Sequence, residues 1–196
     1  MPTRSTPELV VLFFWLAWYV SWMVAAVWRD RAAKQPPTRS QITYRVLAIV
    51  GVLLLFDGDV FDAVVPPLDG RLWRWPLPLQ WTTVAVSFCG FAFTWWARIH
   101  LGRLWSSNVG RKADHRIVDT GPYGIVRHPI YTGIIIAAVG TAALRGTPAA
   151  WIGVAILTLG WYVKARLEER FLREQLGPEN YDAYAQRVPM LIPFLR

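Results

Sequence analysis

The side chains best equipped to bind a charged ligand fall mostly in two short stretches of this chain. The first is Gly121-Pro122-Tyr123-Gly124-Ile125-Val126-Arg127-His128-Pro129-Ile130-Tyr131-Thr132-Gly133, and the second is Lys164-Ala165-Arg166-Leu167-Glu168-Glu169. Neither offers a nucleophile with a base. Ser106 and Ser107 lack a GxSxG setting, and His100, His115 and His128 are far apart, with no HExxH and one cysteine in the chain. Hydrolytic and metal chemistry are therefore poorly served, and no metal site is expected. The first stretch is better suited to holding a ligand. Gly121-Pro122 breaks a preceding helix, and Pro129 fits the first turn of a new one, where its missing N–H is not needed. Arg127 and His128 then sit at a helix start, whose unpaired N–H groups and partial positive charge favour polar ligand groups.

The elements that must position these groups are apolar. The chain has 196 residues, 54% hydrophobic and only 17% charged, where a soluble domain is nearer a quarter charged. The expected fold is an all-α integral membrane protein. Its net charge of +8 lies between long apolar runs rather than along one soluble face, which points to anionic membrane lipids and not to nucleic acid. Leu9–Trp28 is 20 residues long, enough to cross a bilayer as a retained span. Ile42–Phe56 begins a weaker second span, interrupted by Asp57, Asp59 and Asp62, and Asp57–Pro78 reads as an exposed loop. Leu79–Ala97 is a third span. Ile130–Leu144 and Ala149–Val163 make a hairpin about the tight turn Arg145-Gly146-Thr147-Pro148, and its second helix is expected to run on into the aqueous phase until Gly177-Pro178 stops it. Tryptophans 28, 73, 75, 81 and 105 flank spans and suit interfacial anchoring, and Cys89, inside an apolar run, reads as a packed core thiol.

Charge placement orients these spans. Seventeen of the 21 Lys/Arg fall in the loop after span one, the segment after span three and the C-terminal part. The positive-inside rule then predicts about five spans, with the N-terminus outside and the C-terminus in the cytosol. Residues 1–97 would form three N-terminal helices with their loops. Residues 98–196 would form the catalytic region, with a cytosolic pocket.

The order of the motifs is more specific than their types. Leu101-Gly102-Arg103-Leu104-Trp105-Ser106, His115-Arg116-Ile117-Val118, Gly121-Pro122-Tyr123, Arg127-His128-Pro129-Ile130-Tyr131-Thr132-Gly133, Glu168-Glu169, Tyr181-x-x-Tyr184 and Val188-Pro189 follow one another over about residues 98–195. This series resembles the isoprenylcysteine carboxyl methyltransferase family and its relatives among phospholipid N-methyltransferases. The resemblance implies a membrane methyltransferase using S-adenosylmethionine, with a lipid-like or prenylated acceptor, most simply a carboxylate, entering from the bilayer. It also implies a cofactor site lined by Asn108, His115, Arg116, Ile117, Val118, Tyr123, His128, Pro129, Ile130, Tyr131 and Glu168. Asn108 stands where the prenylcysteine enzymes have a glutamine. Tyrosine faces and a carboxylate suit a sulfonium cation, and methyl transfer chiefly requires alignment and exclusion of water.

Two further residues are expected on the substrate side, Lys164 and Arg127. Lys164 occupies the place of an arginine in the prenylcysteine enzymes, and a lysine neutralises a carboxylate without gripping it as a fork. The acceptor is then open between a carboxylate and another group. Three other readings stay open beside it: a phospholipid or amine N-methyltransferase, an NADPH-dependent reductase of the membrane sterol-reductase type, and a scaffold without catalysis. For the reductase, Arg103, Arg111, Lys112 and Arg116 would serve the 2′-phosphate.

Overall fold

The structure is a computed structural model that describes residues 5–25, 38–56, 70–102 and 117–195. Among the described residues there are six α-helices and one short 3-10 turn, and no strand. In chain order they are α1 (Thr6–Ala25), α2 (Thr38–Phe56), α3 (Leu77–Leu101), the 3-10 turn (Gly121–Gly124), α4 (Pro129–Arg145), α5 (Pro148–Leu176) and α6 (Pro178–Arg187). Three of them, α1, α3 and α5, are long and apolar enough to cross a membrane. The apolar parts of α2 and α4 are shorter. The expected exposed loop after α2 falls largely on residues 57–69, outside the described residues.

Proline and glycine set the ends of the last three helices. Pro129, Pro148 and Pro178 each occupy the first turn of their helix. The α4–α5 turn closes on Gly146, which is left-handed at φ 64° and lies so close to Trp73 that an added Cβ would come within 2.6 Å of the Trp73 carbonyl. Only glycine meets both demands. Thr147 then caps α5, its hydroxyl accepting the Ala150 N–H at 3.3 Å. At 29 residues α5 is roughly 44 Å long. About twenty residues cross a hydrocarbon core, so the Glu168–Glu169 pair falls near the far boundary of that core.

Packing pairs α3 with α4 and α2 with α5. Small residues make both approaches possible: a Cβ on Gly90 would lie 2.5 Å from the Gly133 carbonyl, and one on Gly153 would lie 2.7 Å from the Gly51 carbonyl. Such contacts let helix backbones touch where the surrounding lipid supplies no hydrophobic drive. The central cluster of Leu55, Ile134, Ala138, Ala142, Ala150, Val154 and Leu157 joins α2, α4 and α5. The indole N–H of Trp15 donates to Thr141 (3.0 Å) and that of Trp18 to Thr94 (2.8 Å), tying α1 to α4 and α3.

Three expectations need revision. Trp73 and Trp75 do more than mark an interface, since both donate to the Ala143 carbonyl at the end of α4 (3.0 Å each). Trp28 and Trp105 lie outside the described residues. Cys89 is exposed on the outside of the bundle, not packed within it, because a helix face turned to lipid is as apolar as one turned to a core. The second helix begins earlier than expected, at Thr38.

Candidate active site

The 3-10 turn, the start of α4, the far end of α5 and the C-terminal tail meet at one end of the bundle. The tail is docked by main-chain bonds: the N–H of Arg127 donates to the Pro189 carbonyl (2.8 Å) and that of His128 to the Met190 carbonyl (3.1 Å). The Thr132 hydroxyl donates to the Leu191 carbonyl at 2.7 Å. These two N–H groups, expected to face a ligand, therefore hold the chain's own tail. The tail is further fixed by Tyr184, whose hydroxyl donates to the Tyr123 carbonyl at 2.8 Å, and by a cluster of Tyr181, Tyr184 and Val188 that packs Ile117 and Leu172. Burial pushes the Tyr123 and Tyr184 hydroxyls well above the ordinary phenol range, so both serve as neutral groups.

Within this frame charged side chains form a chain of contacts. Arg127 donates through Nε to Glu169 Oε1 (2.8 Å) and through Nη1 to the carbonyls of Ala185 (3.0 Å) and Val188 (2.5 Å). His128 Nε2 lies 3.2 Å from the same Glu169 oxygen, and its Nδ1 lies 3.5 Å from Glu168 Oε2. Burial alone would push the His128 imidazole down, but its bonds to Glu168 and Glu169 outweigh this and hold it above the ordinary histidine value. The imidazolium between two carboxylates is thus the favoured form. Tyr131 donates its hydroxyl to Glu168 Oε1 at 2.6 Å.

Aromatic rings line the other side of Glu168. His128 stacks on Tyr131 (5.4 Å between centroids, 6° between planes) and Tyr131 stacks on Trp161 (4.8 Å, 15°). The Lys164 ammonium lies over three ring faces, 5.2 Å from Tyr131, 5.4 Å from Trp161 and 5.5 Å from Tyr44, and 4.0 Å from Glu168 Oε1. A surface built this way attracts cations.

Of the residues singled out in the sequence, Arg127, His128, Tyr131, Lys164 and Glu168 lie together in this cluster. Pro129 is buried in the first turn of α4, and Ile130 packs beside Tyr131 and Ala165. Tyr123 lies one layer out, under His100 (6.4 Å, 25°), whose Nε2 is 3.0 Å from the Thr120 hydroxyl. Val118 is half-buried. Asn108, His115 and Arg116 are outside the described residues, as are Arg103, Arg111 and Lys112. No group of metal-ligating side chains occurs among the described residues.

Sequence reasoning leaves Trp161 and Tyr44 out of the expected site and gives Glu169 no role of its own. Glu169 is legible as the second half of the pair. Trp161, Lys164 and Glu168 follow helical spacing and share a face of α5, a signal carried by the sequence itself. Tyr44 has none, because it arrives from another helix.

The segment that carries this cluster, residues 83–174, matches the family model described as isoprenylcysteine carboxyl methyltransferase (ICMT) family. The match covers slightly less than half of the chain. Within that family's matched segment lie Arg127, His128, Tyr131, Lys164 and Glu168. Among curated relatives, protein-S-isoprenylcysteine O-methyltransferase B of Arabidopsis thaliana is 35% identical over 88 residues, covering 44% of this chain and 44% of that protein. Methanethiol S-methyltransferase 1 of Bradyrhizobium diazoefficiens is 31% identical over 189 residues, covering 86% of this chain and 59% of that protein. The chain thus spans about half the length of the curated relatives it matches. The solved structure of the eukaryotic intramembrane Ras methyltransferase ICMT superposes with a TM-score of 0.60 at 22% identity, covering 97% of this chain and 68% of the other. The membrane helical fold of the two is shared.

Proposed function

We propose that this protein transfers a methyl group from S-adenosylmethionine to a lipid-like acceptor at the membrane face that holds its C-terminal region, and that the acceptor group is a carboxylate of the prenylated-cysteine kind. The observation that carries this reading is the Tyr131–Glu168 pair beside stacked aromatic faces, inside the segment that matches the ICMT family model. The residues suit the cofactor: the rings of Tyr131 and Trp161 already hold one cation, the Lys164 ammonium, and a sulfonium is attracted by the same faces. The cofactor supplies an activated methyl group, so the chain's own task is binding, alignment and exclusion of water. His128, Tyr131 and Glu168 would hold the cofactor, with Tyr123, Pro129, Ile130, Ile117 and Val118 lining its site and Asn108, His115 and Arg116 completing it. Lys164 would face the acceptor and neutralise its charge. The sequence places Arg127 beside it on the substrate side, but the bonds of Arg127 to Glu169 and the tail carbonyls favour a role in holding the site closed.

The excess of Lys/Arg on one set of loops supports an outside N-terminus and a cytosolic C-terminus, with α2 and α4 completing five spans. A second acceptor is favoured by one observation. The methanethiol S-methyltransferase aligns over 86% of this chain, against 44% for the Arabidopsis prenylcysteine enzyme. A thiol acceptor would transfer its electrons as the thiolate and release one proton, and Lys164 is placed to hold the thiolate.

The test is equilibrium binding of S-adenosylmethionine, its demethylated product and NADPH to the detergent-solubilised protein, with Glu168→Ala in parallel. Binding of the first two, lost in Glu168→Ala, is the expected result. Binding of NADPH alone would replace this reading with a reductase, and binding of none would leave a scaffold.

A further inference from the structure

Tyr44 lies on α2, outside the two stretches that carry the charged cluster, yet it is 5% exposed and its ring faces Lys164. The route that takes it there is the close packing of α2 on α5. Along this seam a Cβ on Gly51 would strike the Leu157 N–H nitrogen at 2.8 Å, and one on Gly160 would lie 3.3 Å from the Tyr44 carbonyl. Small residues at 51, 153 and 160 thus bring the two backbones together one after another. At the end of the seam the Tyr44 ring lies 5.5 Å from the Lys164 ammonium, which the Tyr131 and Trp161 rings also face. Its position is supported from its own helix, where Arg45 lies 6.0 Å from the Tyr44 ring and donates to Gln41 Oε1 at 2.8 Å.

A lysine on a helix has four rotatable side-chain bonds and loses much freedom when fixed. Lys164 is 8% exposed and stands 4.0 Å from Glu168 Oε1. Beside the rings of α4 and α5, Tyr44 adds a third ring face, from α2. We infer that Tyr44 is a positioning residue for methyl transfer, holding the Lys164 ammonium from α2 so that it stands fixed beside the Tyr131–Glu168 pair where the acceptor is received. This rests on the proposed role of Lys164 towards the acceptor. It also gives the N-terminal helices a part in acceptor selection, since the ring that fixes Lys164 is theirs.

The experiment uses the whole chain in detergent and the variants Tyr44→Phe, Tyr44→Leu, Tyr44→Met, Lys164→Met and Tyr44→Leu/Lys164→Met. Cofactor affinity is measured by calorimetry, and transfer of labelled methyl is measured with two acceptors, S-farnesyl-N-acetylcysteine and a short alkanethiol. Removing the ring is expected to raise the acceptor KM between about twofold and thirtyfold, the range of one ring–ammonium contact. Cofactor affinity should stay within about twofold of the parent. Tyr44→Phe should restore the parent KM, and Tyr44→Leu should add nothing once Lys164 is methionine. Tyr44→Met keeps nearly the native volume and serves if Tyr44→Leu does not fold. An equal cost of Tyr44→Leu with and without the lysine would overturn the proposal. So would a Tyr44→Phe variant as impaired as Tyr44→Leu, or an equal loss of cofactor affinity. Binding of the cofactor without turnover of either acceptor would remove the acceptor side of Lys164 and the proposal with it. Absence of cofactor binding by the parent chain would instead refute the methyltransferase reading itself.

Discussion

Replacing Glu169 by glutamine tests the idea that this site is held shut by charge. Glu169 Oε1 receives Arg127 Nε at 2.8 Å and lies 3.2 Å from His128 Nε2, and the Arg127 and Glu169 side chains are 10% and 9% exposed. Glutamine keeps the volume but removes the charge, leaving a buried guanidinium without its carboxylate. Breaking a buried pair from one side costs about 3–5 kcal/mol. Arg127 retains its bonds to the Ala185 and Val188 carbonyls, so the lower end, about 3 kcal/mol, is expected. That is roughly a hundredfold in the folding equilibrium. The loss should be local first, since Arg127 ties the tail to the start of α4. Limited proteolysis should release the region after α6 faster in Glu169→Gln than in the parent, and denaturant titration followed by tryptophan fluorescence reads the total. A double-mutant cycle with Arg127→Met isolates the pair. A cost under about 1 kcal/mol with an equally protected tail would refute the reasoning, because the pair would then behave like an exposed one.

Two further perturbations examine the electrostatics and the packing separately. The His128 imidazole is held above its ordinary value despite burial, so its contribution to stability is fully present below about pH 6.5 and is lost as pH rises through the elevated folded value. Thermal unfolding of the parent should therefore weaken on the alkaline side of pH 6.5 more than that of His128→Gln; parallel pH profiles would contradict the sign. Gly90→Val places a side chain against the Ala137 N–H and the Gly133 carbonyl, each 2.5 Å from the new Cβ. The obstruction is helix backbone, so the cost should reach the upper part of the about 1–3 kcal/mol of overpacking, whereas Gly70→Ala, with nothing within 4 Å, should stay within about 0.5 kcal/mol. Denaturation of both in the same detergent checks the difference.

The lesson of Cys89 and Tyr44 is that hydropathy locates a membrane helix without saying which way it faces. Pro129, Gly146-Thr147-Pro148 and Gly177-Pro178 act within a few residues of themselves, so the ends of α4 and α5 are readable from composition alone, whereas α6 stands where only a tail is expected. The stretch from Arg127 to Tyr131 and the Lys164–Glu168 spacing likewise carry their chemistry in order, because neighbours on a helix remain neighbours in the fold. Rotation about each helix axis is not readable. Lipid-facing and core-facing positions are equally apolar here, so Cys89 reads as packed and is exposed. Tertiary packing alone joins Tyr44 to Lys164, 120 residues away, and brings the Pro189 and Met190 carbonyls to the N–H groups at the start of α4. Local sequence determined where α4 and α5 begin and which groups they carry; the close approach of glycine-lined backbones and the docking of the tail decided which of those groups meet, because both depend on contacts between segments that no local pattern encodes.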